Sequence, residues 1–143
     1  FFQCMRLRLK NIFGREINKN VGKYVIDWDK KCKSKLQFDV KQFFKDHWKH
    51  HICFEEFPVY GTRLKVDLLN ATKKIAVEVN GPQHTEFVKF FHEHPANYLK
   101  SIKRDWQKTE WLESNSYDLI EIEKADLNQL SADYILKKYE INI

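Results

Sequence analysis

Apolar and polar residues change their period several times along the chain, and each change marks an element. Over residues 5–28, MRLRLKNIFGREINKNVGKYVIDW, they alternate around Gly14 and Gly22, which predicts short strands or a hairpin. KKCKSK at 30–35 is a basic hinge, with Ser34 placed to cap a helix. Leu36, Val40, Phe43, Phe44 and Trp48 then recur at helical spacing and predict an amphipathic helix over 35–49. The next stretch, ICFEEFPVYGTRLKVDLLNATKKIAVEVNG, reads as strands over 52–60, 63–69 and 74–80, with Gly61-Thr62 and Ala71-Thr72 at the turns. Residues 84–96 read as a loop or short helix closed by Pro95. Leu99, Ile102, Trp106 and Leu112 give a helical period over 97–115, with Trp106 on the apolar side and expected in the core. YDLIEIE, 117–123, is a further strand, and 126–139 a final short helix.

Turns this short force the three-strand meander to be antiparallel. The last strand follows a long helix, so a right-handed crossover lays it parallel to the 74–80 strand. The expected fold class is therefore α/β, built on a mixed sheet. Residues 1–33 form an N-terminal β extension and 34–143 the main domain.

Strand parity then decides which side chains meet. With two-residue turns, Leu69 pairs with Lys74, Asp67 with Ala76, Tyr60 with Arg63 and Glu56 with Asp67. One face then carries Glu56, Asp67, Glu78 and Asn80, with Lys65 opposite Glu78. Val66, Leu68, Ile75, Val77 and Val79 form a continuous apolar surface on the other. Carboxylates this close repel unless a cation or proton intervenes. One reading is a site for magnesium or manganese, since ligands that are all oxygen suit these ions better than zinc. The other is a set of edge carboxylates paired with Lys65, Lys73, Lys74 or Arg63.

Composition narrows the classes. The 143 residues suit one domain with one core, and 43% hydrophobic content supports it. A net charge of +5 favours a polyanionic partner without requiring one. Cys4, Cys32 and Cys53 show no CxxC spacing and read as reduced thiols in a cytoplasmic setting. No apolar run approaches the ~18 residues that span a bilayer, so no membrane is expected, and no signal-peptide pattern precedes the domain. A start at Phe1 fits a fragment or processed product.

LKVDLLNATKKIAVEVNGPQH followed by RDWQKTEWLESNSYDLIEI resembles the PD-(D/E)xK nuclease superfamily. The likeness is to its small members related to very-short-patch-repair endonucleases and to phage-borne homing endonucleases, and it covers about residues 34–123. The resemblance implies a restriction-endonuclease-like core of helix, three-strand meander, helix and strand. It implies a magnesium- or manganese-dependent endonuclease acting on DNA, in a bacterial or phage-infected cytoplasm. Asp67 matches the family's metal-binding aspartate and Glu78 its second acidic residue. Where the family usually has lysine, this chain has Asn80. Asparagine carries no charge to set against a developing phosphorane. Lys65 and Lys108 are the candidate replacements. Gln83 and His84 match a Gln-His pair of related nucleases and are candidates for proton transfer. The family's helix glutamate is Gln37 here, so parity favours Glu56 as the third metal ligand.

Lys100, Arg104 and Lys108 recur at i, i+4 and i+8 and, with Arg63, are candidate DNA contacts; the alternative is a solvated face. HWKHHIC, 47–53, invites a zinc reading, but no second Cys/His pair has finger spacing. His92 and His94 flank the 81–84 turn and are minor candidates for metal or substrate. Arg6, Arg8, Lys10, Arg15, Lys19 and Lys23 make the N-terminal stretch basic, as a DNA-gripping ribbon or a solvated extension. Two rival functions stay open: a non-catalytic nucleic-acid-binding module that lost its lysine, and an assembly protein with an acidic interface. Monomer and homodimer are both open.

Overall fold

The fold is described from a computed structural model, over residues 5–80 and 95–143. Strands β1 (Arg6–Lys10) and β2 (Glu16–Asn20) form an antiparallel hairpin. Helix α1 (Lys35–Trp48) follows, and Ser34 caps it by accepting the Gln37 amide at 3.1 Å. The meander is β3 (Cys53–Pro58), β4 (Lys65–Asn70) and β5 (Ile75–Asn80). Helix α2 (Pro95–Ser114) leads into β6 (Asp118–Glu123). The four strands lie in the order β3-β4-β5-β6, antiparallel except for the parallel β5/β6 pair. This is the α/β mixed sheet expected.

The final helix predicted over 126–139 is two pieces, a 3-10 helix at Lys124–Gln129 and α3 (Ala132–Tyr139). The break falls where Ser131 turns extended and accepts the Tyr134 amide, starting a new helix. Among the described residues no helix is long and apolar enough to cross a membrane.

Each face of the sheet has its own core. Val40, Phe44 and Trp48 of α1 cover Leu68, Ile75, Val77, Ile120 and Ile122. On the other face Trp111 and Leu112 of α2 join Phe54, Leu69 and Ala76, together with Leu9 and Val21 from the hairpin region. The hairpin is locked to this second core, for Trp111 Nε1 donates to the Lys10 carbonyl at 2.7 Å.

One register and one backbone conformation differ from expectation. The β4–β5 turn spans Ala71–Lys74, with Lys74 at φ +59° and Asn70 Oδ1 accepting the Lys73 amide. Leu69 therefore pairs with Ala76 rather than Lys74, and the pairing of Asp67 with Ala76 and of Lys65 with Glu78 is lost. The slip is two residues, so it alone would leave the faces unchanged, but Asp67 lines the α1 side and Glu78 with Asn80 the α2 side, so the single acidic face expected is not formed. The β3/β4 register is as expected, but Glu56 takes a left-handed φ of +51°. Both strands change faces there: Phe57 and Val66 sit in the α2-side core while Cys53 and Leu68 sit on the α1 side. The expected continuous apolar surface is thus broken at Val66.

The core tryptophan of α2 is Trp111, 1% exposed, whereas Trp106 is 60% exposed. At about 100° per residue, Leu112 lies about 120° around the helix from Trp106, so the stripe through Leu99, Ile102 and Trp106 is a different face. Lys108, Trp111 and Leu112 of α2, with Asn115 just after it, meet the rest of the fold. Trp111→Ala is therefore expected to cost about 3–5 kcal/mol in urea unfolding, and Trp106→Ala about 0.5 kcal/mol or less. Equal costs would mean that α2 is turned the other way.

Candidate active site

The site begins where a ladder ends. Strands β4 and β5 pair from Asn70↔Ile75 to Leu68↔Val77. One step further the register brings Asp67 level with Glu78. There the Val79 amide donates to Asp67 Oδ2 at 2.8 Å instead of to a backbone carbonyl. A side chain has taken the place of a ladder bond, which fixes its carboxylate between the strands. The two carboxyl groups lie close enough for each to shift the other's protonation.

Lys108, reaching from α2, places Nζ at 3.2 Å from both Glu78 oxygens. Both side chains are largely covered, at 21% and 14% exposure. Burial pushes the Glu78 carboxyl up to about 8, the Asp67 charge adds to this, and Lys108 opposes it. Asp67 is also raised, first by burial and further by Glu56, against the Val79 amide and Lys108. Two carboxyls and one ammonium leave a charge deficit, so the pair retains a proton at neutral pH.

The site opens on both faces of the sheet. Towards α1, Asp67 borders a small cavity with Cys32, Gln37, Val40, Lys41 and Glu55. Lys41 is ion-paired to Glu55 at 2.7 Å, which neutralises that carboxylate. Glu56 accepts from Gln37 Nε2 at 3.1 Å, so the strand and helix candidates for the third acidic position meet. Towards α2, Glu78 and Asn80 share a groove with Asp105, Lys108 and Glu121.

Asp105 and Glu121 were not singled out from the sequence. Asp105 lies one helical turn before Lys108, a spacing that places both on one side of α2. Glu121 pairs with Glu78 across β5/β6, a register that the sequence leaves open because a helix intervenes.

Of the candidates, Asp67, Glu78, Asn80 and Lys108 are brought together. Lys65 is exposed, pairs with Pro58 and no longer faces Glu78. Arg63 is exposed at the β3–β4 turn, and Lys100 and Arg104 are exposed on the first half of α2. Gln83, His84, His92 and His94 lie outside the described residues, as do Gly81 and Pro82. The cation on Glu78 is Lys108, rather than the lysines of the edge-pairing alternative. In HWKHHIC, Cys53 is buried with its thiol 3.9 Å from the Trp48 carbonyl, and His51 Nδ1 lies 3.0 Å from Asn70 Nδ2. Among the described residues no three His, Cys, Asp or Glu are grouped to hold a metal ion.

The donors that do converge fit a hard divalent cation. Asp67 and Glu78 are acceptor-only when ionised, so a cation held between them would offset their repulsion.

No family model matches the chain. No solved structure matches it. Uncharacterized protein 033L of Invertebrate iridescent virus 3 is 35% identical over 70 residues, 49% of this chain. The matched stretch is 36% of that relative's length.

Because Asp67 helps to hold the Glu78 proton, Asp67→Asn is expected to lower the Glu78 pKa part of the way to its ordinary value. Carboxyl chemical shifts followed through a pH titration measure this. A raised folded-state pKa means that stability is full below the unfolded value of 4.5 and falls as pH rises through about 8. The metal-free wild type is expected to lose melting temperature over that window. Glu78→Gln should flatten the slope. An unchanged slope would separate Glu78 from the buried pair.

Proposed function

We propose that the chain is a metal-dependent DNA endonuclease that hydrolyses phosphodiester bonds. The observation that carries this reading is the Asp67–Glu78 carboxyl pair, buried where β4 and β5 part, with Lys108 set against it. Asp67 and Glu78 would hold magnesium or manganese, with Glu56 next in reach through its link to Gln37. Bound there, such an ion supplies a water of lowered pKa and positive charge against phosphate oxygens.

The chain's own residues do the rest. Lys108 replaces the lysine absent at Asn80, by entering the site from α2 rather than from β5. Its ammonium keeps Glu78 nearer ionisation and presents fixed charge where the phosphodiester becomes more negative. Asn80, on the same side as Glu78, offers an amide donor to a phosphate oxygen. Gln83 and His84 follow in the chain and are assigned proton transfer. Lys100, Arg104 and Arg63 are assigned contact with the DNA backbone. A homing or repair role in a phage or mobile element is analogy with the family alone.

The second reading is a binding module that keeps a nuclease-like fold. What favours it is Asn80 itself, together with the engagement of Lys108 in an ion pair. Supercoiled and linear plasmid, incubated with magnesium, manganese or EDTA, separate the two. The expected result is metal-dependent cleavage, reduced at least about a hundredfold by Asp67→Asn, Glu78→Gln or Lys108→Ala. Lys65→Ala should change it about twofold or less. Full activity in Asp67→Asn or Glu78→Gln would remove the metal site from this position. Tight, salt-sensitive binding without cleavage would favour the module.

A further inference from the structure

The hairpin β1–β2 carries a row of cations and, at its tip, an aromatic ring with no place in the core. On β1 the side chains alternate: Leu7 and Leu9 turn inward to the α2-side core, and Arg6, Arg8 and Lys10 are exposed. These three cations span about 14 Å at the ordinary strand rise. Their cross-strand partners are Asn20, Asn18 and Glu16, so a single carboxylate offsets them on that face. Arg15 adds a further exposed cation at the tip.

Phe13 is 82% exposed, more than the other large hydrophobic side chains among the described residues. The tip itself is well built. Asn11 Oδ1 accepts the amides of Phe13 and Arg15, at 2.9 and 3.0 Å, and the Asn11 carbonyl accepts the Gly14 amide at 3.0 Å. The Ile12 amide donates to the Tyr60 carbonyl at 2.8 Å. Ile12 and Phe13 also close on Gly61, where an added Cβ would lie 2.6 Å from Ile12 Cγ2. At the base of the tip, Asn115 and Trp111 hold both the amide and the carbonyl of Lys10. The ring is therefore exposed on a braced support and brings little conformational entropy to be lost on binding.

We infer that this hairpin is a nucleic-acid-binding ribbon in which Phe13 stacks on or wedges between bases while Arg6, Arg8, Lys10 and Arg15 hold the phosphates. A two-stranded ribbon fits the major groove of a duplex, and apolar side chains inserted at a base step kink it. Charge complementarity selects this occupant, because a polyanion offers both phosphates for the cations and flat faces for the ring. The inference rests on the nucleic-acid half of the proposed function and is independent of cleavage.

Binding of the full chain to a fluorescent DNA duplex is measured in EDTA over a range of salt. Phe13→Ala, an exposed change that leaves the core untouched, is expected to weaken binding about tenfold with the salt slope unchanged. Phe13→Tyr should bind as wild type. Arg8→Ala should weaken binding and reduce the salt slope by about one. A duplex carrying 2-aminopurine should brighten with wild type and stay dark with Phe13→Ala, as stacking on the analogue is relieved. Binding by Phe13→Ala equal to wild type, or no brightening, would overturn the wedge. Absence of duplex binding, or binding to anionic lipid vesicles in its place, would overturn the ribbon. Cleavage in magnesium with hairpin variants at full activity would leave the nuclease reading standing without this one. Binding as expected with no cleavage would do the reverse.

Discussion

One hydrogen bond organises the site: the Val79 amide donating to the Asp67 carboxylate. It occupies the place of a backbone ladder bond, so β4 and β5 part with the Val79 amide still satisfied. From that gap Asp67 reaches the α1 side of the sheet, and Glu78 faces α2. The sheet that spaces the carboxyls is held by apolar cores on both faces, which gives their contact a rigid frame. Burial within that frame is also what keeps the pair from ionising fully. The site holds an unfavourable charge arrangement, which the proposed divalent cation would relieve, and the surrounding fold supplies the stability to keep it.

The legible part of this arrangement was the part that depends on parity. The β4–β5 turn is two residues longer than the pattern suggests, so Glu78 and Asn80 keep their common face through the period of two, while Asp67 lines the opposite side because β4 changes faces near Val66. Lys65 depended on the register itself, and the same slip removed it from Glu78. Its loss shows which sequence inferences are robust to turn length: those about faces survive an even error, and those about direct partners do not.

Other features lay beyond single-sequence reading for identifiable reasons. Glu56 turns left-handed without any glycine to mark it, and so the change of faces at Val66 is silent in the pattern. Helix α2 has two apolar stripes, and tertiary contact rather than amphipathicity selects the one with Trp111 and Leu112. Asp105 and Glu121 join the site through a helix rotation and a parallel register, neither of which local periodicity fixes. Lys108 was found because charge at a missing motif position prompts a search for a substitute. It reaches Glu78 from α2, an approach that the helical period alone does not fix.

Asp67 and Glu78 are proposed to form a divalent-metal centre, and direct metal binding tests this without reference to substrate or target sequence. Manganese titrated into the wild type and into Asp67→Asn, with free ion followed by electron paramagnetic resonance, gives the answer. The account expects the wild type to take up manganese at a site that Asp67→Asn lacks, with magnesium competing for it. Equal uptake by both proteins, or none by the wild type, would contradict it.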